Sequence, residues 1–498
     1  MDLFGNLIFG FGVAITLQNL LYCFVGVLVG TLIGVLPGIG PLATIAMLLP
    51  LTFNVPPVAA LIMLAGIYYG AQYGGSTTAI LVNLPGETSS VVTCIDGYQM
   101  ARQGRAGPAL AIAAIGSFFA GTVGTLLIAV AGPPLAEIAL KFGAPEYFSL
   151  MLMGLVAAAV LAQGDIMKSL AMVGMGLLLG IVGNDVNTGV PRFTFEINEL
   201  SDGIGFMVVA VGVFALGEII SNLGGTTGRE IFTSKVTHLY PTRDDLKRSI
   251  GPIIRGTSLG AFFGVLPGTG PAVASLSSYM LEKKLARDPS RFGRGAIEGV
   301  AGPESANNAD AQCKFIPMLT LGLPASGVMA LMLGALTIQG IQPGPEVMNQ
   351  RPELFWGLIA SMWIGNLMLV VLNLPLVGLW VSMLKVPYRL LFPAIMAFSA
   401  IGIYSVNNSP TEVYLAALFG VIGFVWMKLG FSPTPMLLGF VLGPMMEENL
   451  RRALLMSRGD PSVFVTRPIS LSFIIATVLI VILMATPFLR KRRVEIAG

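Results

Sequence analysis

The octapeptide GVLPGIGP occupies residues 34–41, and GVLPGTGP occupies residues 264–271, 230 positions later. Seven of the eight positions agree, and each copy ends one apolar run and begins another. A bias toward glycine and proline raises the odds of a chance match, but agreement of this length in the two halves of the chain favours an internal duplication. The repeat therefore predicts two related interruptions, one in each half.

The composition places these interruptions in a membrane protein. Of the 498 residues, 54% are hydrophobic and 11% are charged, whereas soluble globular domains carry about 25% charged residues. The apolar stretches are continuous, which indicates helices, because the lipid-facing strands of a barrel alternate apolar and polar residues. We therefore predict an all-α membrane protein of about 10–12 transmembrane helices, at about 20 residues per span. The 61 glycines and 32 prolines predict broken helices and re-entrant hairpins among them.

Charge and cysteine content exclude several other classes of protein. The net charge of +3 gives no reason to expect a nucleic-acid partner. The one histidine, His238, excludes histidine-based zinc sites and Ser/His/Asp triads. Cys23, Cys94 and Cys313 lie far apart without a C-x-x-C pattern. We interpret them as packing residues rather than as a disulfide framework or a metal site.

Basic residues predict the orientation of the chain. Residues 1–220 are a first repeat half, residues 221–250 a polar connector, and residues 251–498 a second half with a basic tail at 490–493. Lys and Arg in short loops stay in the cytoplasm, which predicts that the connector and the tail are inside. The first 101 residues contain no Lys or Arg, which favours an outside N-terminus, although the stretch is also simply hydrophobic. An outside start for the first half and a cytoplasmic start for the second predict two inverted repeats.

The repeated motif has a physical interpretation. Two glycines two positions apart allow a non-helical turn with close backbone approach, and the following proline suits the first turn of a new helix. The free N–H groups and the positive end of that helix then point into the break, where they bind anions, while carbonyl groups of the unwound turn bind small cations. The alternative is a packing kink without a ligand. The candidate residues are Gly38, Gly40, Pro41, Gly268, Gly270 and Pro271.

A second polar segment follows each motif, at residues 74–90 and 302–327. We predict that both are re-entrant hairpins with short apolar arms and with tips at Leu-Pro turns. Their hydroxyl and amide groups provide oxygen ligands for sodium and hydrogen-bond donors for carboxylates. The alternative is that these groups cap short helices. The candidate residues are Ser76, Thr77, Thr78, Asn83, Pro85, Gly86, Ser305, Asn307, Asn308, Pro324, Ala325 and Ser326.

Four ionisable side chains, Glu87, Glu304, Asp310 and Lys314, lie close to these segments. Charges at membrane depth are costly, so such groups are candidates for function. Lys314 is expected to pair either with a substrate carboxylate or with Asp310. Glu218 lies at the end of an apolar run, where exposure at the membrane interface is the ordinary expectation.

Several motifs together resemble one family. They are the two octapeptides, YYGAQYGGSTTAILVNLPG at residues 68–86, DGYQMA at 96–101 and EGVAGPESANN at 298–308. In combination and in order, they resemble the large membrane subunit of the bacterial tripartite tricarboxylate transporters over nearly the whole chain. The resemblance implies a multi-pass permease of the inner membrane that imports citrate-like tricarboxylates or related carboxylates. Its implied partners are a small membrane subunit and a periplasmic solute-binding protein.

The resemblance also implies uptake driven by a gradient of sodium or protons, without a cofactor. In agreement, the chain has no G-x-x-x-x-G-K-[ST] loop for nucleotide hydrolysis. Two other functions remain open. An intramembrane enzyme acting on lipid-linked substrates needs a catalytic constellation that the chain does not supply. A passive anion channel is the other, but paired interruptions suit alternating access better than an open pore. The expected class is therefore a secondary active transporter, not an enzyme.

Overall fold

The computed structural model describes residues 2–36, 40–162, 165–185, 188–223, 239–383 and 388–485. These residues are mainly helical, and the strands among them are Gly183–Asn184 and Pro191–Arg192, which pair antiparallel. The prediction of an all-α membrane protein is therefore confirmed. Gly38, His238, much of the connector and the basic tail at 490–493 lie outside the described residues.

Ten α-helices lie in the described part of the first half. A π-helical turn, Val211–Leu216, joins the last two of them. The helices are α1 (Leu3–Ala14), α2 (Leu17–Val35), α3 (Pro41–Leu48), α4 (Pro57–Val82), α5 (Val91–Arg102), α6 (Ala106–Ala139), α7 (Ala144–Leu161), α8 (Ile166–Gly180), α9 (Phe206–Ala210) and α10 (Gly217–Leu223).

Thirteen α-helices lie in the described part of the second half. They are α11 (Arg243–Val265), α12 (Pro271–Leu285), α13 (Glu298–Cys313), α14 (Phe315–Leu321), α15 (Gly327–Ile338), α16 (Val347–Gln350), α17 (Pro352–Asn373), α18 (Val377–Met383), α19 (Tyr388–Asn407), α20 (Pro410–Lys428), α21 (Pro433–Met456), α22 (Val463–Thr466) and α23 (Pro468–Ala485). Proline starts α3, α4, α12, α17, α20 and α21. At the first helical turn its missing N–H costs no hydrogen bond.

Five helices of the described chain are long and apolar enough to cross a membrane by themselves: α2, α6, α7, α17 and α20. Other apolar helices, among them α3, α8 and α15, are shorter. Two of these three, α3 and α15, follow directly on a break in the chain. Broken helices thus stand beside unbroken ones, as the glycine and proline content predicts.

Each half contains two helices in very close contact, α2 with α4 and α11 with α13. A Cβ at any of three glycines in α2 or three in α11 would lie less than 3.0 Å from a backbone carbonyl oxygen of the partner helix. Successive glycines of α2 contact carbonyls that advance along α4 from Met63 to Ala71, and successive glycines of α11 contact carbonyls that advance along α13 from Gly302 to Asp310. The two helices of each pair therefore run parallel. The glycines are Gly26, Gly30 and Gly34 and, 230 positions later, Gly256, Gly260 and Gly264.

The two Gly-Pro breaks are the tips of helical hairpins. Val29 and Ile33 of α2 cluster with Met47 of α3, and Arg255 of α11 pairs with Glu282 of α12 at 2.6 Å. In each hairpin the second helix therefore runs back along the first. The predicted interruptions are confirmed at both copies of the repeat.

The predicted short arms are present in the second of the other two hairpins, where α14 and α15 flank the Leu-Pro turn, but the predicted short first arm of the hairpin at residues 74–90 is wrong. Residues 76–78 lie inside the 26-residue helix α4, and residues 305–308 lie inside α13. Both helices are almost completely buried. In such helices small polar side chains mark contacts with neighbouring helices, and the chain has no need to unwind around them.

The Leu-Pro turns themselves do interrupt the helices. Asn83 (φ 55°) ends α4 and Gly322 (φ 68°) ends α14, both with left-handed backbone. Glu87 (φ −146°) and Ser326 (φ −153°) then begin the next helical segments from extended backbone. Asn83 and Gly322 are 239 positions apart, and so are Glu87 and Ser326. The two turns are therefore built alike.

Candidate functional site

In each half, the Gly-Pro break touches the Leu-Pro turn. A Cβ on Gly86 would lie less than 3.0 Å from the carbonyl oxygen of Gly34. In the second half, the N–H of Gly268 donates to the carbonyl oxygen of Ala325 at 3.0 Å. Three predicted site residues, Gly86, Gly268 and Ala325, thus act through backbone and shape. Pro85 and Pro324 lie in the same two turns.

Threonine hydroxyls satisfy the carbonyls that each Gly-Pro break exposes. Thr78 of α4 donates to the carbonyl oxygen of Val35, the last residue of α2, at 2.9 Å. Thr269 donates to Leu266 at 2.8 Å, just after α11 ends. Helix ends leave carbonyls without partners, and a nearby hydroxyl replaces the missing N–H. Thr78 therefore caps the C-terminal end of α2.

Glu304 of α13 joins the two halves of the protein. Its carboxylate is completely buried, and it accepts hydrogen bonds from the hydroxyls of Ser76 in α4, at 2.5 Å, and of Thr93 in α5. A buried carboxylate is stable only when its oxygens are well hydrogen-bonded. The predicted residue Ser76 therefore lies beside this carboxylate, whereas no pattern in the sequence singles out Thr93.

Glu87 lies beside the same helix, at the turn between α4 and α5. Its carboxylate accepts from Ser89 and, at 3.4 Å, from the amide of Asn307 in α13. Ser89 also contacts the buried amide of Gln72 at 3.2 Å. The first Leu-Pro turn and the predicted residue Asn307 thus meet across the two halves.

Asp310 and Lys314 of α13 form an ion pair in which both side chains are completely buried. Of the two partners considered for Lys314, the structure supports Asp310. The other carboxylate oxygen of Asp310, Oδ1, has no hydrogen-bond partner among the described residues. An unsatisfied oxygen on a buried charged group is costly, so this atom calls for an explanation.

The remaining polar candidates lie at the edge of this cluster. Thr77 lines a cavity of about 20 Å³ together with Ser117, which is room for one water molecule. Asn308 donates to Ser117 of α6 at 2.7 Å. Ser305 donates to Ala301 one turn earlier in α13, at 2.8 Å. The bond from Asn308 to Ser117 holds α13 against α6.

The two helix N-termini predicted to bind anions differ in their surroundings. The N–H of Gly40, before α3, faces a carboxylate oxygen of Glu218 at 3.4 Å. The expectation that Glu218 is exposed at an interface is wrong, because the π-helical turn and α10 carry it to the break. Gly270, before α12, has no atom within 4 Å of the position of a Cβ. Pro41 and Pro271 occupy the first position of their helices.

Comparison with known proteins decides the family. A family model described as "Tripartite tricarboxylate transporter TctA family" matches residues 20–438. The chain belongs to this TctA family. An Agrobacterium vitis protein, described as an uncharacterized 52.8 kDa protein in the TAR-I ttuC′ 3′ region, is 60% identical over 493 residues, which cover 99% of this chain and 98% of that protein.

A second Agrobacterium vitis protein, described as an uncharacterized protein in the TAR-II ttuC′ 3′ region, is 58% identical over 237 residues. They cover 48% of this chain and 98% of that protein. No solved structure matches. As a TctA-family member, the chain is the large subunit of a tricarboxylate transporter, a multi-pass membrane protein of a family that is not enzymatic in general.

Asp96 is a structural residue of this TctA-family chain that analysis of the sequence missed, although it lies in the DGYQMA motif. It is completely buried in α5. Its Oδ1 accepts from the backbone N–H groups of Gly293, Gly295 and Ala296 at 2.7–2.9 Å, and its Oδ2 accepts from the hydroxyl of Tyr279 at 2.9 Å. Asp96 therefore fixes α5, which carries Thr93, to the segment that precedes α13.

Replacing Asp96 by alanine is expected to lower the free energy of unfolding by about 3 kcal/mol, because four donors lose a charged acceptor. Asp288→Ala is the matched control, since Asp288 accepts only locally, from Ser290. The measurement is the melting temperature of each purified variant in detergent. Equal melting temperatures for the two variants would show that this network does not hold α5.

Proposed function

We propose that the protein is the permease of a binding-protein-dependent secondary active transporter for citrate-like tricarboxylates or related carboxylates, driven by a sodium or proton gradient. One observation carries the proposal: α4 and the first Leu-Pro turn of one half and α13 of the other bring the buried side chains Glu87, Glu304 and Asn307 together. Transporters of this kind bind substrate and coupling ion where discontinuous helices of two repeats meet.

The arrangement of the broken helices supports inverted repeats. Gln339, just after α15, donates to the carbonyl of Thr52, just before α4, at 3.0 Å. Arg105, just after α5, pairs with Asp245 at the start of α11. Arg248 pairs with Glu298, the first residue of α13. From α4 to α5, the chain therefore runs from the face that contains Gln339 to the face that contains Arg105. From α13 to α15, it runs between the same two faces in the opposite direction.

One of these faces is strongly basic. It carries Arg105 and Arg248, together with the arginines of the loop between α12 and α13. Lys and Arg in short loops favour the cytoplasm. We propose that this face is cytoplasmic in the bacterial inner membrane and that the face of Gln339 is periplasmic.

The carboxylates of the substrate would bind at the helix N-termini of the second half, of which that of α12 is open and that of α15 is capped by the Ser326 side chain. Gly270 precedes α12 and Ser326 precedes α15, and the bond from Gly268 to Ala325 holds the two N-termini side by side. The dipoles of both helices, and the free N–H groups at the start of α12, favour negative charge. Two adjacent N-termini suit a substrate with several carboxylates.

The small membrane subunit and the periplasmic solute-binding protein are proposed partners, on the strength of family membership. The binding protein would deliver the carboxylate to the periplasmic face. A passive anion channel is the alternative, because the same N-termini would attract anions in an open pore. Coupling of uptake to an ion gradient separates the two.

Vesicles that contain the chain, a small membrane subunit and a binding protein should accumulate labelled citrate only while an ion gradient is imposed. The measurement is uptake before and after an ionophore collapses the gradient. Accumulation that continues without the gradient and requires ATP contradicts the proposal. Flux that only equilibrates citrate, whatever the gradient, identifies a channel.

Gly270→Val is expected to reduce uptake tenfold or more, equal to a loss of about 1.4 kcal/mol. The valine has room, so the variant should insert and fold, but its side chain covers the N–H groups of α12. We expect the same of Gly40→Val. Gly12→Val in α1 is the control, because it also has no atom within 4 Å and lies far along the chain from any break. Wild-type uptake by both test variants would show that the Gly-Pro breaks are not part of the binding site.

A further inference from the structure

The cluster around α13 contains more negative than positive charge. Glu87, Glu304 and Asp310 are carboxylates, and Lys314 is the one cationic side chain that contacts them within the part of the chain that the structure describes. If all are ionised, three negative charges face one positive charge. Buried charges without compensation are very costly, so the cluster needs either a bound proton or a further positive charge.

Glu304 has no unsatisfied oxygen that could bind a further cation. Both of its oxygens accept hydrogen bonds, one from Ser76 and one from Thr93. The unsatisfied atoms lie further along α13. Oδ1 of Asn307 and Oδ1 of Asp310 have no hydrogen-bond partner among the described residues. The two side chains are 1% and 0% exposed.

The side chain of Asn307 contacts Glu87, and Asp310 lies almost one turn further along α13. Asn307 and Asp310 are three residues apart on a helix, so they project from neighbouring positions on one face. The amide of Asn307 already contacts Glu87 at 3.4 Å, and Glu87 is within electrostatic range of Asp310. Rotation of that amide by half a turn would direct its oxygen, in place of its nitrogen, toward Glu87.

We propose that Glu87, Asn307 and Asp310 bind a monovalent metal cation between the first Leu-Pro turn and α13. The ligands are two carboxylate oxygens and one amide oxygen, the hard oxygen donors that small non-transition metal ions prefer. The cation neutralises one of the two excess charges and satisfies the oxygens that lack partners. This inference rests on the proposed function in that the cation would be the coupling ion.

The site joins the two halves. Glu87 belongs to the first half, and Asn307 and Asp310 belong to the second. A cation held between them would fix the turn before α5 against α13. Binding of the cation therefore favours the arrangement in which the breaks are assembled, and it should stabilise the folded protein without any substrate.

The test is the melting temperature of the purified full chain in detergent, with Na⁺ as the probe and with K⁺ or choline replacing it at constant ionic strength and pH. For the wild type, the melting temperature is expected to rise saturably with Na⁺ and not with choline. Asn307→Ala is expected to weaken the apparent Na⁺ affinity about tenfold, and Glu87→Gln by at least as much. Equal curves in all salts, or a melting temperature that depends on pH alone, would overturn the proposal.

Asn308→Ala is the matched control. Asn308 is the next residue of α13, but its amide bonds Ser117 and the backbone of Glu304. This variant is expected to melt at a lower temperature and to keep the wild-type Na⁺ response. An unchanged response in Asn307→Ala contradicts the proposal even if that variant is less stable. Because this assay needs no transport, absence of gradient-driven citrate uptake would overturn the proposed function and leave this site intact.

Discussion

Replacing Gly268 by alanine is expected to prevent stable folding, whereas the same change at Gly270 is expected to leave the fold intact. Gly268 has a φ of +81°, and a Cβ there would lie less than 3.0 Å from backbone atoms of Ala157 and Ala158 in α7. The left-handed backbone and the overlap together cost about 2–5 kcal/mol. Gly270 has φ −88° and ψ 155°, which any residue adopts, and has open space around it.

The measurement for this pair is the melting temperature of each variant and the fraction that elutes as a single species in detergent. The overlap involves main-chain atoms of α7, which cannot rotate away as a side chain can. Relief therefore requires the α11–α12 hairpin to move as a unit, and the bond from Gly268 to Ala325 would be lost. A Gly268→Ala variant as stable as Gly270→Ala would mean that the hairpin tip is not packed against α7.

The positions of the Gly-Pro breaks could be predicted from the sequence because the signal is local and occurs twice. A glycine pair followed by proline ends one helix and begins the next in both halves. The two glycines of one motif could not be ranked in this way. What separates Gly268 from Gly270 is contact with α7, more than 100 positions earlier in the chain.

The polar segments were misinterpreted for a related reason. Ser305 donates back to Ala301 within α13, so a hydroxyl can satisfy itself inside an intact helix. A run of such residues resembles a break when only the sequence is considered. Glu218 illustrates the opposite case, because its contact with Gly40 spans 178 positions. A local sequence pattern cannot predict a contact between residues so far apart.

Glu304→Gln is expected to reduce citrate uptake by about 100-fold, equal to a loss of about 2.7 kcal/mol. The carboxylate accepts from two hydroxyls, Ser76 and Thr93, which belong to α4 and α5. The glutamine side chain has one oxygen and one NH₂ group, so one of the hydroxyls would have to accept from the NH₂ group and would no longer donate to a charged oxygen. Removing a charged acceptor from a buried group costs about 1–3 kcal/mol and separates the helices that it joins. Uptake into vesicles at saturating binding protein measures the loss.

Two further variants distinguish this account from a general loss of charge on α13. Glu298→Gln removes a carboxylate from the first residue of the same helix, where it pairs with Arg248. Uptake should stay within about threefold, because such a partly exposed pair contributes about 1 kcal/mol or less.

Ser76→Ala removes one of the two hydroxyls that donate to Glu304. The double variant Glu304→Gln, Ser76→Ala should therefore lose less than the sum of the two single variants, since each change alone already weakens the contact between residues 76 and 304. Strict additivity would mean that Ser76 and Glu304 act on transport independently, and the contact between the halves would then not be what assembles the site.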